Sequence, residues 1–185
     1  IIYSLLCFLF WNLYRFRTIN ENKELNITKK SIFELSICLL LVFLTISSGA
    51  FVAGTDAGSI YNNFPLMGKT FFPPEPFTLQ PLWINFFENT TLIQFNHRVL
   101  ATLTGFMILY TCITNYKQFN HTLVGKLLKF LILLIILQYL LGVVTLKLAV
   151  PILIGSMHQM GSILVLSTIV VILSEMFLKK RGAIR

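Results

Sequence analysis

The sequence is poor in charge, and above all in acidic residues. Only 12% of its 185 residues are charged, and just seven are Asp or Glu. A soluble domain carries about 25% charged residues, so this chain has too little polar material to coat a globule in water. Hydrophobic residues make up 56% of it, and its mean hydropathy is +0.78. The composition excludes a soluble enzyme, a disordered tail and a conventional nucleic-acid binder, and it indicates an integral membrane protein.

Cysteine is also scarce. The chain has three, Cys7, Cys38 and Cys112, and each lies in or beside an apolar run. An odd number in such surroundings is typical of buried thiols rather than of a disulfide framework or a zinc site.

Long stretches contain no charged residue at all. A helix needs about 20 apolar residues to cross a bilayer, whereas a β-barrel would show short alternating strands. The predicted fold class is therefore an all-α integral membrane protein with a four-transmembrane-helix bundle. The predicted spans are residues 32–54, 94–116, 125–147 and 151–177.

The first apolar segment, residues 1–14, is shorter. Fourteen helical residues reach only about 21 Å, and the chain begins without methionine, a basic leader or a small-residue cleavage site. We expect the end of a truncated preceding transmembrane helix, so that the chain would be a fragment. The remaining predicted divisions are an inner loop 15–31, a four-helix half 32–177 containing an outer loop 55–93, and a basic inner tail 178–185.

The basic residues predict the orientation in the membrane. Twelve of the fifteen lie on one side of the predicted topology: Arg15, Arg17, Lys23, Lys29, Lys30, Lys117, Lys126, Lys129, Lys179, Lys180, Arg181 and Arg185. Such asymmetry places these loops in the cytoplasm or the mitochondrial matrix, with Trp11 and Tyr14 in an interfacial belt on that side. The expected location is a bacterial plasma membrane or a mitochondrial inner membrane. The positive charge is then topological, and nucleic acid is not an expected partner.

The opposite face carries one long loop rich in proline and aromatic residues. Its prolines exclude a continuous helix, and they are Pro65, Pro73, Pro74, Pro76 and Pro81. A short surface helix is expected over residues 79–88, broken early by Pro81. With seven Phe and Trp residues between 64 and 87, this loop is expected to lie on the membrane surface or to cap a pocket.

Three ionisable residues, His97, Arg98 and His158, lie inside the predicted spans, where such residues are costly and usually functional. His97 and His158 lie near the outer ends of two helices that run in the same direction, at depths that differ by about 6 Å. Two such histidines can face each other as axial ligands of a haem iron.

Other roles stay open at this point. A bare zinc or copper ion needs a third and a fourth ligand, and no further cysteine, carboxylate or histidine lies at that depth to supply them. A proton relay usually uses carboxylates within the membrane, but Glu34 and Glu175 lie near the inner ends of the spans. Arg98 suits either pairing with a haem propionate or snorkelling to the outer headgroups.

Several blocks, in this order, resemble the haem A synthase family. They are GAFVAGTDAG at 49–58, YNNFPLMG at 61–68, NFFEN at 85–89, QFNHR at 94–98, LGVVTL at 141–146 and the segment from Val150 to Gln159. The resemblance covers nearly all of the chain from about residue 31. It implies the second of two similar four-helix halves of an oxidoreductase that takes part in haem A biosynthesis and cytochrome oxidase assembly.

The resemblance implies that the whole enzyme oxidises the haem O methyl group to the haem A formyl group. His97 and His158 would be axial ligands to the iron of a haem b, with Arg98 and Gln94 also at this cofactor. The first half of such enzymes has a Glu-x-x-His-Arg pattern, and its carboxylate is replaced here by Gln94. Since an amide cannot transfer protons as a carboxylate does, this half is expected to contain no catalytic residue and to relay electrons.

The resemblance also implies a set of partners. The N-terminal half would hold the substrate haem O, an electron donor that the sequence does not identify would supply electrons, and haem O synthase would be a further partner. Two other functions stay open. A b-type cytochrome subunit for electron transfer alone would share the histidine pair, whereas a half-transporter would require helices broken near the midplane, a pattern not seen in the sequence.

Overall fold

The computed structural model describes residues 2–18 and 27–182. Predicted inner-side residues Lys23 and Arg185 lie outside these ranges. The described residues form six α-helices and no β-strand: α1 Ile2–Thr18, α2 Lys29–Gly54, α3 Asn85–Glu88, α4 Thr90–Phe119, α5 Leu123–Lys147 and α6 Ile152–Gly182. The predicted all-α fold class is confirmed.

Four helices of the described part, α2, α4, α5 and α6, are long and apolar enough to cross a membrane. Three of them begin two to four residues before the predicted spans, because capping side chains sit beyond the apolar runs. Thr28 Oγ1 accepts from the Ser31 N–H, Asn89 Oδ1 from the Leu92 N–H and Thr122 Oγ1 from the Gly125 N–H. Each oxygen satisfies a free N–H of the first turn. Hydropathy marks where the membrane contact ends, whereas the caps decide where the helix begins.

The long helices expose many of their large apolar residues. Along α4 the large apolar residues Leu103, Phe106, Tyr110 and Ile113 are each more than half exposed, and they lie three to four positions apart. Polar Thr104, Thr111 and Asn115 of the same helix are buried. This pattern suits a lipid environment, where apolar side chains face the hydrocarbon and polar ones are satisfied within the protein.

The chain divides into two compact units. Unit 1 comprises Ile1–Leu40, Phe106–Ile135 and Ile163–Arg185, and unit 2 comprises Leu41–Gly105 and Ile136–Ser162.

Unit 1 contains both carboxylates of the predicted spans. Arg15 pairs with Glu175 through two hydrogen bonds of 2.8 and 3.0 Å, and the indole N–H of Trp11 donates to the same carboxylate. Trp11, which the sequence predicts to lie in an interfacial belt, therefore also has a hydrogen-bond partner within the protein. Glu34 accepts from Asn115 at 2.7 Å and lies 3.8 Å from the Lys30 ammonium group.

The cysteines follow the sequence prediction with one difference. All three are free thiols, and Cys38 and Cys112 are buried, but Cys7 is only partly buried. The Cys38 thiol lies 3.4 Å from the Thr111 hydroxyl.

Unit 2 contains the outer loop. The loop is folded by backbone turns and by asparagine side chains rather than by one helix. Pro81 is followed by a single 3-10 turn, Leu82–Ile84, and then by the four-residue α3. The side chain of Asn85 bonds to both the N–H and the C=O of Leu79, and that of Asn89 donates to the carbonyl of Pro76. The surface helix expected over residues 79–88 therefore covers only residues 82–88, as one 3-10 turn followed by one α-helical turn.

Candidate functional site

The two membrane histidines lie in the same unit and at matching positions of their helices. His97 is the eighth residue of α4 and His158 the seventh of α6, so their distances from the helix starts differ by about 1.5 Å. Both are partly buried.

Each imidazole ring lies against a glycine of a neighbouring helix. A Cβ atom built on Gly49 of α2 would lie 3.2 Å from His97 Cε1, and one on Gly142 of α5 would lie 2.8 Å from His158 Cε1. At 3.2 Å the His97 ring would have to move by a few tenths of an ångström to admit a Cβ atom. At 2.8 Å the His158 ring would have to shift, because Cβ atoms in proteins essentially never come that close to a neighbour. The two glycines make the space that the rings occupy.

The ring nitrogens of the two histidines differ in their partners. His158 Nδ1 lies 3.1 Å from the amide nitrogen of Gln138, which also donates to the His158 backbone carbonyl at 2.7 Å. His97 Nδ1 is buried without a partner. Among the described residues, neither Nε2 atom makes a hydrogen bond. Because an amide nitrogen only donates, His158 Nδ1 accepts from Gln138 and the proton of its neutral ring lies on Nε2. Binding of a metal at this Nε2 therefore requires the proton to leave it and the Gln138 contact to change.

Gln138 is a site residue that the sequence reasoning missed. It is the only amide in the uncharged run from Phe130 to Leu146, and an isolated polar side chain in a membrane span was the available signal. Its amide oxygen occupies the place that a Cβ atom on residue 161 would need. A glycine at 161 is therefore what lets Gln138 reach the neighbouring histidine.

Gln94 and Arg98 bind the outer loop. Gln94 Nε2 donates to the carbonyls of Gly58 and Tyr61, and the Arg98 guanidinium donates to those of Tyr61, Asn63 and Leu66, at 2.7–3.2 Å. Arg98 Nη2 also lies 3.3 Å from Gln94 Oε1, whereas its Nε is buried without a partner. The propionate and headgroup roles of Arg98 stay predictions beside these observed contacts.

The geometry explains why an amide suits position 94. A carboxylate is an acceptor only, and at this place it would face two carbonyl oxygens. The amide can donate to them and still offer its own oxygen to Arg98. Gln94 thus has a structural reason to differ from a glutamate.

The residues present fit a haem better than a bare metal ion. Within the described ranges, no group of three or more His, Cys, Asp or Glu residues is placed to hold an ion. A haem brings its own four nitrogen ligands and needs only one or two axial ligands from the protein. Two histidines match that requirement: His97, whose Nδ1 is unpartnered, and His158, once its proton moves off Nε2.

The fold and this site define a multi-pass α-helical membrane protein with a pair of histidines in one compact unit. The model of the COX15-CtaA family, described as cytochrome oxidase assembly protein, matches residues 1–170. The chain belongs to this family, and the resemblance read from its sequence blocks is confirmed.

The chain is similar to several curated proteins. It is 41% identical over 162 residues to "Heme A synthase" of Wolbachia sp. subsp. Brugia malayi, which covers 88% of this chain and 45% of the relative. It is 42% identical over 138 residues to "Heme A synthase COX15" of Bos taurus, covering 74% of this chain and 33% of the relative. The chain thus spans less than half the length of these relatives. No solved structure matches it.

Proposed function

We propose that this chain is the C-terminal, cofactor-binding half of a haem A synthase. The complete oxidoreductase would convert the haem O methyl group to the haem A formyl group, and this half would bind haem b and relay electrons. The observation that carries the proposal is the pair of histidines in unit 2, neither with a hydrogen bond at Nε2 and each with its ring against a glycine. The names of the relatives support the reaction.

His97 and His158 would be the axial ligands of this haem. When bound, a haem with two histidine ligands supplies one-electron transfer without an open coordination position. The protein's part is to hold both rings: glycines leave them room, and Gln138 lies against Nδ1 of His158, where its amide oxygen would accept from Nδ1–H once Nε2 binds the iron. Gln94 and Arg98 stay candidates for contacts with the cofactor's edge, and Arg98 Nε is a buried donor without a partner.

This half would relay electrons and would not act on substrate. No carboxylate lies three residues before His97, and the amide there is already bound to loop carbonyls. Proton transfer and the substrate haem O would belong to the N-terminal half. The electron donor and haem O synthase remain expected partners, in a plasma membrane or mitochondrial inner membrane with the basic loops on the inner side.

The test is a reduced-minus-oxidised spectrum with haem quantitation on the purified chain, its two ligand variants and a control. We expect a six-coordinate b-type spectrum near one haem per chain, and loss of that haem in both His97→Ala and His158→Ala. His121→Ala is the matched control, because His121 is exposed in the turn between α4 and α5.

Normal haem content in both ligand variants would contradict the assignment. If the haem assignment holds, repeating the work on a full-length relative distinguishes the two enzyme classes. A relative that lacks the Glu-x-x-His-Arg half would favour a b-type cytochrome subunit for electron transfer alone.

A further inference from the structure

The segment of the outer loop from residue 58 to residue 66, the outer strap, is bound to α4 around His97. Gln94 lies three residues before this histidine and Arg98 directly after it. Between them, the two side chains make five hydrogen bonds to carbonyl oxygens of the strap. The strap is therefore attached to the His97 helix within one turn of the histidine.

The same strap is also attached to the end of α5. Asn62 Nδ2 donates to the Leu146 carbonyl at 2.9 Å and to the Gly58 carbonyl at 3.3 Å. A Cβ atom built on Gly58 would lie 2.9 Å from Val150 Cγ2, so the strap also packs closely on the turn that follows α5. All these contacts lie within unit 2.

That turn leads directly into the helix of the second histidine, and its backbone is strained. Ala149 and Val150 have φ values of 58° and 56°, a region that is unfavourable for a β-branched residue. Strain of this kind persists only where the surroundings hold the backbone in place. Here the strap lies against Val150, and α6 begins two residues later at Ile152.

We propose that the outer strap sets the spacing between the two histidine-bearing helices before a cofactor enters. It joins α4, which carries His97, to the α5–α6 turn, from which α6 carries His158. Coordination by two histidines requires both rings to be at bonding distance at once, and a pre-set spacing removes the cost of bringing them together. Gln94, Arg98, Asn62 and Gly58 are then positioning residues. This inference rests on the proposed two-histidine haem.

The test asks whether one axial ligand is lost when the α5 end of the strap is released. Asn62→Leu removes the donor to Leu146, and Gly58→Ala, a change of another kind, pushes the strap away from Val150. Asn120→Leu is the matched control, since Asn120 is exposed in the turn between α4 and α5 and its side chain bonds only to Tyr116 and His121. Carbon monoxide is the probe, because reduced haem binds it only where an axial position opens.

In the unaltered chain we expect a six-coordinate haem that binds little carbon monoxide. Both strap variants should keep their haem and increase the carbon-monoxide-bound fraction about three- to tenfold, the factor that corresponds to one net hydrogen bond. The control should behave as the unaltered chain.

Other outcomes overturn the strap or the site separately. Strap variants that bind no more carbon monoxide than the unaltered chain would overturn the spacing role. Variants that insert into membranes but lose all haem would overturn it too, because the strap would then hold the whole pocket together. An unaltered chain without a two-histidine spectrum would instead refute the proposed function.

Discussion

Two glycines determine where the histidine rings can lie. The Gly142 backbone approaches the His158 ring so closely that a methyl group would lie within 3.4 Å of three ring atoms. In a densely packed interior, an added methyl group must displace its neighbour. Gly142 thus affects the site indirectly: because it has no Cβ atom, the His158 ring can occupy the space beside it.

Gly142→Ala is expected to displace the His158 ring and to lower the occupancy of any haem bound there. Overpacking of this kind costs about 1–3 kcal/mol. Haem per chain, measured by the pyridine haemochrome method, is the readout.

Gly155→Ala provides a control in α6. A Cβ atom there would make only ordinary contacts of 3.8 and 4.0 Å, with Val150 and Thr145. If Gly142→Ala keeps as much haem as Gly155→Ala and the unaltered chain, the space beside His158 is not needed for haem binding.

At the scale of helices, buried carboxylates connect elements of unit 1. Arg15 of α1 and Glu175 of α6 form a charge pair whose side chains are 12% and 1% exposed. A buried carboxylate that loses its partner keeps its desolvation cost without the compensating attraction. Removing only one of these two charges should therefore destabilise the folded protein.

Arg15→Met is expected to lower the free energy of unfolding by about 3–5 kcal/mol, measured by titration with a denaturing detergent. The double variant Arg15→Met with Glu175→Met should recover most of this loss, because neither charge then remains buried. A double variant as unstable as the single one would show that packing, and not the unpaired charge, is responsible.

At the scale of the whole molecule, the basic residues predict the sidedness of the loops. Lys69 lies in the outer loop and Lys126 near the start of α5, and both are exposed. The distribution of Lys and Arg predicts that these two lysines lie on opposite sides of the membrane.

A matched pair of variants, Lys69→Cys and Lys126→Cys, tests this orientation in intact cells or sealed organelles. A membrane-impermeant maleimide should label the first and label the second only after lysis. The chain with its three native thiols gives the background, two of them being buried. Labelling of Lys126→Cys without lysis would reverse the predicted topology.

Some features follow from the sequence because they depend on the order of residues along one segment. The scarcity of charge predicts a membrane protein, and the uncharged runs predict α2, α4, α5 and α6, since the bilayer selects any helix that is apolar for about 20 residues. The sequence blocks likewise identify the family. The first residues of the helices are harder to predict from the sequence. The capping residues Thr28, Asn89 and Thr122 lie beyond the apolar runs that mark the spans.

The sequence by itself thus determined the class of protein, its four long helices and the polar residues that a membrane interior would not tolerate without a role. Only the tertiary structure decided what those residues touch: Gln138 beside His158, Arg98 on the carbonyls of the outer loop, and Gly49 and Gly142 against the two rings. The physical reason is range. Hydropathy and charge act on a segment through the surrounding solvent. A hydrogen bond or a close glycine contact instead joins residues that are here 16 to 48 positions apart, and it exists only once the chain has packed.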